Sequence, residues 1–119
     1  MASFTKTIPR DKPADFISEV LSRKNDYFPL AYRPTRAEPG DYLYLIYRGS
    51  IAGRVKIASL EPSSSPQPPG ETPYPAWAAW IIRFNGSWEK SPRDISLKGH
   101  QSVRYLDSHG LVHLDRETW

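Results

Sequence analysis

Cysteine is absent from this chain. Its absence excludes disulfide scaffolding, thiol catalysis and cysteine-ligated zinc, and fits a reducing compartment. No apolar run approaches the roughly 20 residues that a membrane-spanning helix needs, and the opening MASFTKTIPRDK lacks the apolar core of a secretory signal. The expectation is a soluble, cytoplasmic protein with no membrane partner. Histidine is scarce: His109 and His113 span a turn and a strand rather than one turn of helix, and His100 stands apart, so neither a metal nor a cofactor is expected. The patterns GxSxG, GxGxxG and the phosphate loop do not occur, which disfavours serine-hydrolase, dinucleotide and nucleotide-hydrolysis chemistry. Glu89 and Asp94 could be imagined as a carboxylate pair, but nothing in their spacing selects them.

Aromatic residues and a modest excess of cations are present. Residues 1–119 fit one domain with one core, and aromatics make up 13% of them, so rings must build much of the core or of a binding surface. A net charge of +3 permits attraction to phosphates without identifying a partner.

Along the chain, KPADFISEVLSRK from Lys12 to Lys24 reads as a helix, with Pro13 and Asp15 in its first turn and a stripe of Phe16, Ile17, Val20 and Leu21. The prolines of the segment after it forbid regular helix there. Gly40 and Asp41 form a turn into a strand from Tyr42 to Tyr47, apolar on both faces. RGS is a hairpin turn, and Ile51 to Leu60 is the partner strand. In that strand Ile51, Gly53, Val55 and Ile57 are expected inward, with Arg54 and Lys56 outward or at a rim. Residues 61–75 form a Pro/Ser-rich loop, expected either to decorate a hairpin or to act as a lid or ligand. Ala76 to Phe84 reads as a third strand, and SVRYL and LVHL as a closing hairpin around Gly110. The resulting fold class is α+β, mainly β: a small curved β-barrel of about five strands with a flanking N-terminal helix.

The order of these elements, the Gly40-Asp41 step and the turn-strand GSIAGRVKI with Gly49, Gly53 and Val55 resemble the PUA-like superfamily, most closely its EVE and ASCH branches. The resemblance implies a compact barrel that binds nucleic acid, often around a modified base. The ASCH pattern GxKxxExR is not found, so its Lys and Glu have no clear counterparts here.

A nucleobase pocket needs rings to stack, polar groups for the base edge and cations for phosphate. Trp80, Trp88 and Tyr47 are the ring candidates, with Trp77, Tyr42 and Tyr44 as alternatives, and His100 and Gln101 are the edge readers. Arg33, Arg36, Arg48, Arg54, Lys56 and Lys98 are the phosphate candidates, with Lys90, Arg93 and Arg104 further along. The functional expectation is a DNA- or RNA-binding module that holds one modified or flipped nucleobase without turnover. Its alternatives are a protein-interaction module using exposed rings and the Pro/Ser loop, and a small nucleic-acid-processing enzyme using His100.

Overall fold

Residues 2–99, 103–106 and 110 are described by the computed structural model, and they form one helix and two sheets, an α+β arrangement that is mainly β. In chain order the elements are β1 (Phe4–Thr7), α1 (Ala14–Ser22), β2 (Tyr27–Leu30), β3 (Tyr42–Tyr47), β4 (Ser50–Lys56), β5 (Ser59–Pro62), β6 (Trp80–Arg83), β7 (Glu89–Lys90) and β8 (Val103–Tyr105). The five-stranded sheet runs β7-β4-β3-β1-β8 and the three-stranded sheet β2-β6-β5. No closed barrel is found among the described residues. Nor is any helix among them long and apolar enough to cross a membrane.

The apolar character of both faces of β3 has a direct cause. Leu43 and Leu45 enter the main core with Phe4, Val55, Ile82, Ile17 and Val20, so one face of the larger sheet packs against α1 and the smaller sheet. Tyr44 and Ile46 are also fully buried; Tyr44 joins Ile51 and Leu106 in a second cluster, with Ile95 and Leu97 packed against it. The irregular chain after β7 makes this possible by running along β4, where Ile51 N–H donates to Ile95 O and Leu97 N–H to Gly49 O, each at 2.9 Å.

Local chemistry sets several boundaries. Arg48 and Gly49 both take positive φ, at 47° and 83°, the geometry of a two-residue hairpin turn whose twist suits the strands it joins. Asp41 is buried, and its Oδ2 accepts the N–H groups of Ala2 and Glu38 at 2.9 Å, pinning the chain start beside β3. Pro29 sits in β2, an edge strand, where a missing N–H is tolerated. The helix is shorter than its sequence pattern, with Pro13 as the cap before its first turn and Ile17 and Val20 as its buried positions.

Four expectations are corrected. Ile51 to Leu60 is not one strand: Ile57 N–H donates to Asp41 O at 2.9 Å while the next amide, Ala58, donates to Arg83 O at 2.8 Å, so the chain passes from one sheet to the other. The β3–β4 register shifts between Leu45 and Ile46, which pair with Gly53 and Ile51, leaving Ala52 as the extra residue. That bulge turns Ile51 to the opposite face from Val55. Arg54 is buried rather than outward, whereas Lys56 is exposed as expected. The third strand begins at Trp80, not Ala76, because Trp77 lies in a turn closed by Ala78 N–H to Pro75 O. Beyond these, β1 and β2 were not expected at all. The LVHL strand lies outside the described residues.

Arg54 is opposite Tyr44 across the β3–β4 pair and cannot escape the covered face. Its Nε donates to Glu89 at 2.7 Å, its Nη1 to the Tyr44 hydroxyl at 3.0 Å, and its guanidinium lies 4.2 Å from the Tyr42 ring centroid. Burial opposes its charge, but the Glu89 and Tyr44 hydrogen bonds prevail and raise its pKa above the ordinary arginine value. Replacing Arg54 by Ala removes its hydrogen bonds to Tyr44 and Glu89 and opens space beneath the Tyr42 ring, an expected loss of about 2–4 kcal/mol in denaturant unfolding. An unchanged midpoint would refute this structural role. Gly53→Ala should also destabilise, by about 1–3 kcal/mol, because its Cβ would stand 2.8 Å from Leu21 Cδ2 and 2.9 Å from Glu89 O. A wild-type melting curve for that variant would show that α1 does not approach β4 so closely.

Candidate functional site

β1 and α1 leave a groove between them. In the parallel β1–β3 pair, Phe4 is aligned with Leu43 and Lys6 with Leu45, so Phe4 and Lys6 share the face that looks toward the main core. Phe4 is fully buried there, while Lys6 reaches the edge of the core half-buried. The cavity beside it measures about 410 Å³, within the usual size range of small-ligand sites. Its walls are Ile8, Phe16, Val20 and Phe28, and its rim carries Trp77, Lys12 and Arg23. Trp77 is 59% exposed, one of the two large apolar side chains among the described residues that stand out in solvent.

The charges in this groove are of one sign. Among the described residues that line it, Lys6, Lys12 and Arg23 are cationic and none is acidic. Arg23 is already held by Glu19 through two hydrogen bonds of 3.0 and 2.7 Å. Lys12 Nζ lies over the Phe16 ring at 5.1 Å from its centroid and faces solvent. Burial pushes the Lys6 amine below the ordinary lysine range. The hairpin tip supports the groove from behind: the Tyr47 hydroxyl donates to Lys12 O, and Arg48 Nη2 donates to the same carbonyl at 3.3 Å.

The Pro/Ser-rich segment positions Trp77 from the other side. Arg83 on β6 holds Glu71 with two hydrogen bonds of 2.8 Å, takes Glu61 with a third at 2.8 Å, and donates to the Tyr74 hydroxyl. Tyr27 packs edge-on against Tyr74 with centroids 4.8 Å apart and donates to Thr72 O at 3.0 Å. The segment is therefore folded back onto the smaller sheet, and the turn that presents Trp77 follows directly. Its next anchor is Ala79 N–H to Leu30 O at 2.8 Å.

A smaller cavity of about 280 Å³ lies at Trp80, lined also by Pro34, Glu38, Pro39 and Pro62. One face of the Trp80 ring carries the Arg33 guanidinium, 4.6 Å from the centroid, and Arg36 covers Tyr105 in the same way at 4.4 Å. Trp88 is buried in the main core, edge-on to Phe84 and Phe28, and its indole N–H finds no acceptor among the described residues.

The sequence candidates are thus dispersed. Tyr47 and Arg48 hydrogen-bond the Lys12 carbonyl behind the β1–α1 groove; Trp80 and Arg33 meet at the smaller cavity, while Arg36 lies over Tyr105; Trp88 is core; Arg54 is taken up by Glu89 and Tyr44. Lys56 is at the far end of β4 from Arg48, roughly 20 Å away along a strand of this length, so the hairpin cations do not form one track. Lys98 is exposed beyond Leu97, near the hairpin turn. His100 and Gln101, with His109 and His113, lie outside the described residues. Lys6, Lys12, Phe16 and Phe28 were missed as site residues. The alternation of FTKT, with an inward phenylalanine two places before a lysine, was the one available signal. No protein-family model, curated protein or solved structure matches this chain.

The loop clamp has a pH signature. Hydrogen bonds from Arg83 hold the Glu71 carboxyl below its ordinary value, against the opposing effect of burial. A depressed folded-state pKa contributes stability that is complete above the unfolded value, about 4.3, and is lost as pH falls through the folded value. Amide exchange in residues 71–79, corrected for its intrinsic pH dependence, should accelerate as the pH drops below about 4. Arg83→Met should cause the same loosening at neutral pH, about ten-fold or more in cleavage after Glu71 by a glutamate-specific protease. Unaltered cleavage in Arg83→Met would rule out the clamp.

Proposed function

We propose that the protein is a nucleic-acid-binding module that seats one nucleobase of a single strand in the groove between β1 and α1. The observation that carries this reading is an exposed Trp77 beside an apolar cavity whose charged lining, among the described residues, is entirely cationic. A base stacks on Trp77 and enters toward Phe28, and its flanking phosphates meet Lys12 and Arg23 on the rim. Double-stranded nucleic acid hides its base faces and would have to expose one, so single strands bind better. In this reading the two sheets and α1 are an opened variant of the small PUA-like barrel that the sequence resembles. The resemblance supports the same class of ligand and does not carry the choice of groove.

Fluorescence anisotropy with labelled DNA and RNA oligonucleotides across a salt series tests the proposal. Two or three phosphates neutralised on a single strand give a slope of log K against log salt of about −1.4 to −2.1. Trp77→Ala is expected to weaken binding by about ten-fold or more, since a stacked base is worth about 1–3 kcal/mol, and Lys12→Gln to reduce the salt slope. No binding at low salt, or binding indifferent to Trp77, overturns it. Ring-dependent association with a protein and little salt dependence would instead favour Trp77 and Tyr32, the two exposed large rings among the described residues, as a protein contact.

A further inference from the structure

We propose that Lys6 is a nucleophilic amine that captures an aldehyde carried close to a phosphate group, forming an imine inside the β1–α1 groove. The inference goes beyond nucleic-acid binding, because it rests on the chemistry of the groove and would stand if no oligonucleotide bound.

A lysine presented inward from a central strand is unusual, since four methylenes and a charge must end at the edge of a core. β1 has β3 on one side and β8 on the other, and Lys6 is aligned with Leu45 and Val103, so the strand cannot shift to release the side chain without breaking both pairings. The charged groups facing it across the groove are Lys12 from the loop after β1 and Arg23 from the end of α1. Arg23 is engaged by Glu19. No carboxylate lines the groove among the described residues to stabilise an ammonium. Burial accordingly lowers the Lys6 pKa, which raises the fraction of free amine near neutral pH.

The apolar walls suit the product as well as the nucleophile. The Nζ lone pair attacks the carbonyl carbon, a C–N bond forms, and the C=O π pair moves to oxygen. The amine loses a proton and the oxygen gains one, giving a carbinolamine. That intermediate expels its hydroxyl, which leaves with a proton as water, and the C=N bond closes. Amine and aldehyde thus give imine and water, with no oxidant or reductant. Phe16 and Phe28 give the neutral imine apolar walls, Trp77 offers a ring face to a flat ligand, and Lys12 at the mouth is placed for a phosphate. Two sources share this chemistry: a small phosphorylated aldehyde, and the ring-opened sugar of an abasic site in a nucleic-acid strand.

The test is borohydride trapping on the full chain. Pyridoxal 5′-phosphate is the small probe, an oligonucleotide with one abasic site is the other, and the adducts are located among the six lysines by peptide mapping. Lys6 is expected to be labelled at least ten-fold faster than any other lysine, with Lys6→Arg abolishing that label while keeping the wild-type melting temperature. Lys12→Met should slow capture of pyridoxal 5′-phosphate but not of unphosphorylated pyridoxal. Trapping of either probe at Lys6 supports the proposal, and the probe preferred assigns the source. Labelling spread evenly over the lysines, or unchanged in Lys6→Arg, overturns it. Should Lys6 trap pyridoxal 5′-phosphate while plain oligonucleotides fail to bind, the nucleic-acid reading falls and this one stands.

Discussion

Burial of β3 on both faces is the constraint from which the rest of the architecture follows. Leu43 and Leu45 require cover on one side, Tyr44 and Ile46 on the other, and a strand so placed must also pair along both edges. β4 takes one edge through a tight hairpin. β1 takes the other in parallel, and a parallel neighbour needs a crossover, here the stretch that contains α1 and β2. The crossover deposits the helix on the Leu43 and Leu45 face. Where the helix ends its cover of β1, the groove with Lys6 begins. The candidate site is therefore a by-product of how a doubly buried strand is completed.

Electrostatics sorts the arginines and lysines into two groups. Arg54 and Arg83 are structural: each is shielded from water, holds at least one carboxylate and lies against tyrosine rings. Their planar forks suit this better than a lysine would, because several donors can be satisfied at fixed angles. Lys12, Lys56 and Lys98 remain at the surface, and Lys6 stands between the groups, partly buried and, among the described residues, without an acid lining its groove. A net charge of +3 conceals this division. Cations that look interchangeable in a list differ in what they have left to offer a ligand.

The tryptophans show the same effect. Trp88, surrounded by turn residues, reads as a surface ring and is core; Trp77, written inside an apolar run, reads as strand and stands in solvent. Trp80, a ring candidate from the sequence, packs in part against the core and borders a cavity beneath Arg33. Each reversal comes from a neighbour distant in sequence. Phe28 and Phe84 enclose Trp88, and the Arg83 clamp on Glu71 and Tyr74 folds the preceding loop so that the chain turns at Trp77 before β6 can start.

Short-range chemistry made some features legible from the sequence alone. The stripe of Ile17 and Val20 defined the helix face, the run from Tyr42 to Tyr47 defined its strand to the residue, and Gly49 placed the hairpin turn, because each depends on periodicity or on a φ angle within a few residues. The overall class, mainly β with one helix, followed from those pieces. Tertiary structure decided what local periodicity does not encode: the bulge at Ala52 that turned Ile51 over and the passage at Ala58 from one sheet to the other. It also decided the recruitment of Phe4 to Thr7 as a central strand, and with it the groove. The physical reason is that a side chain's face is set by its own strand, while its burial and its partners are set by whatever the rest of the chain lays against that face.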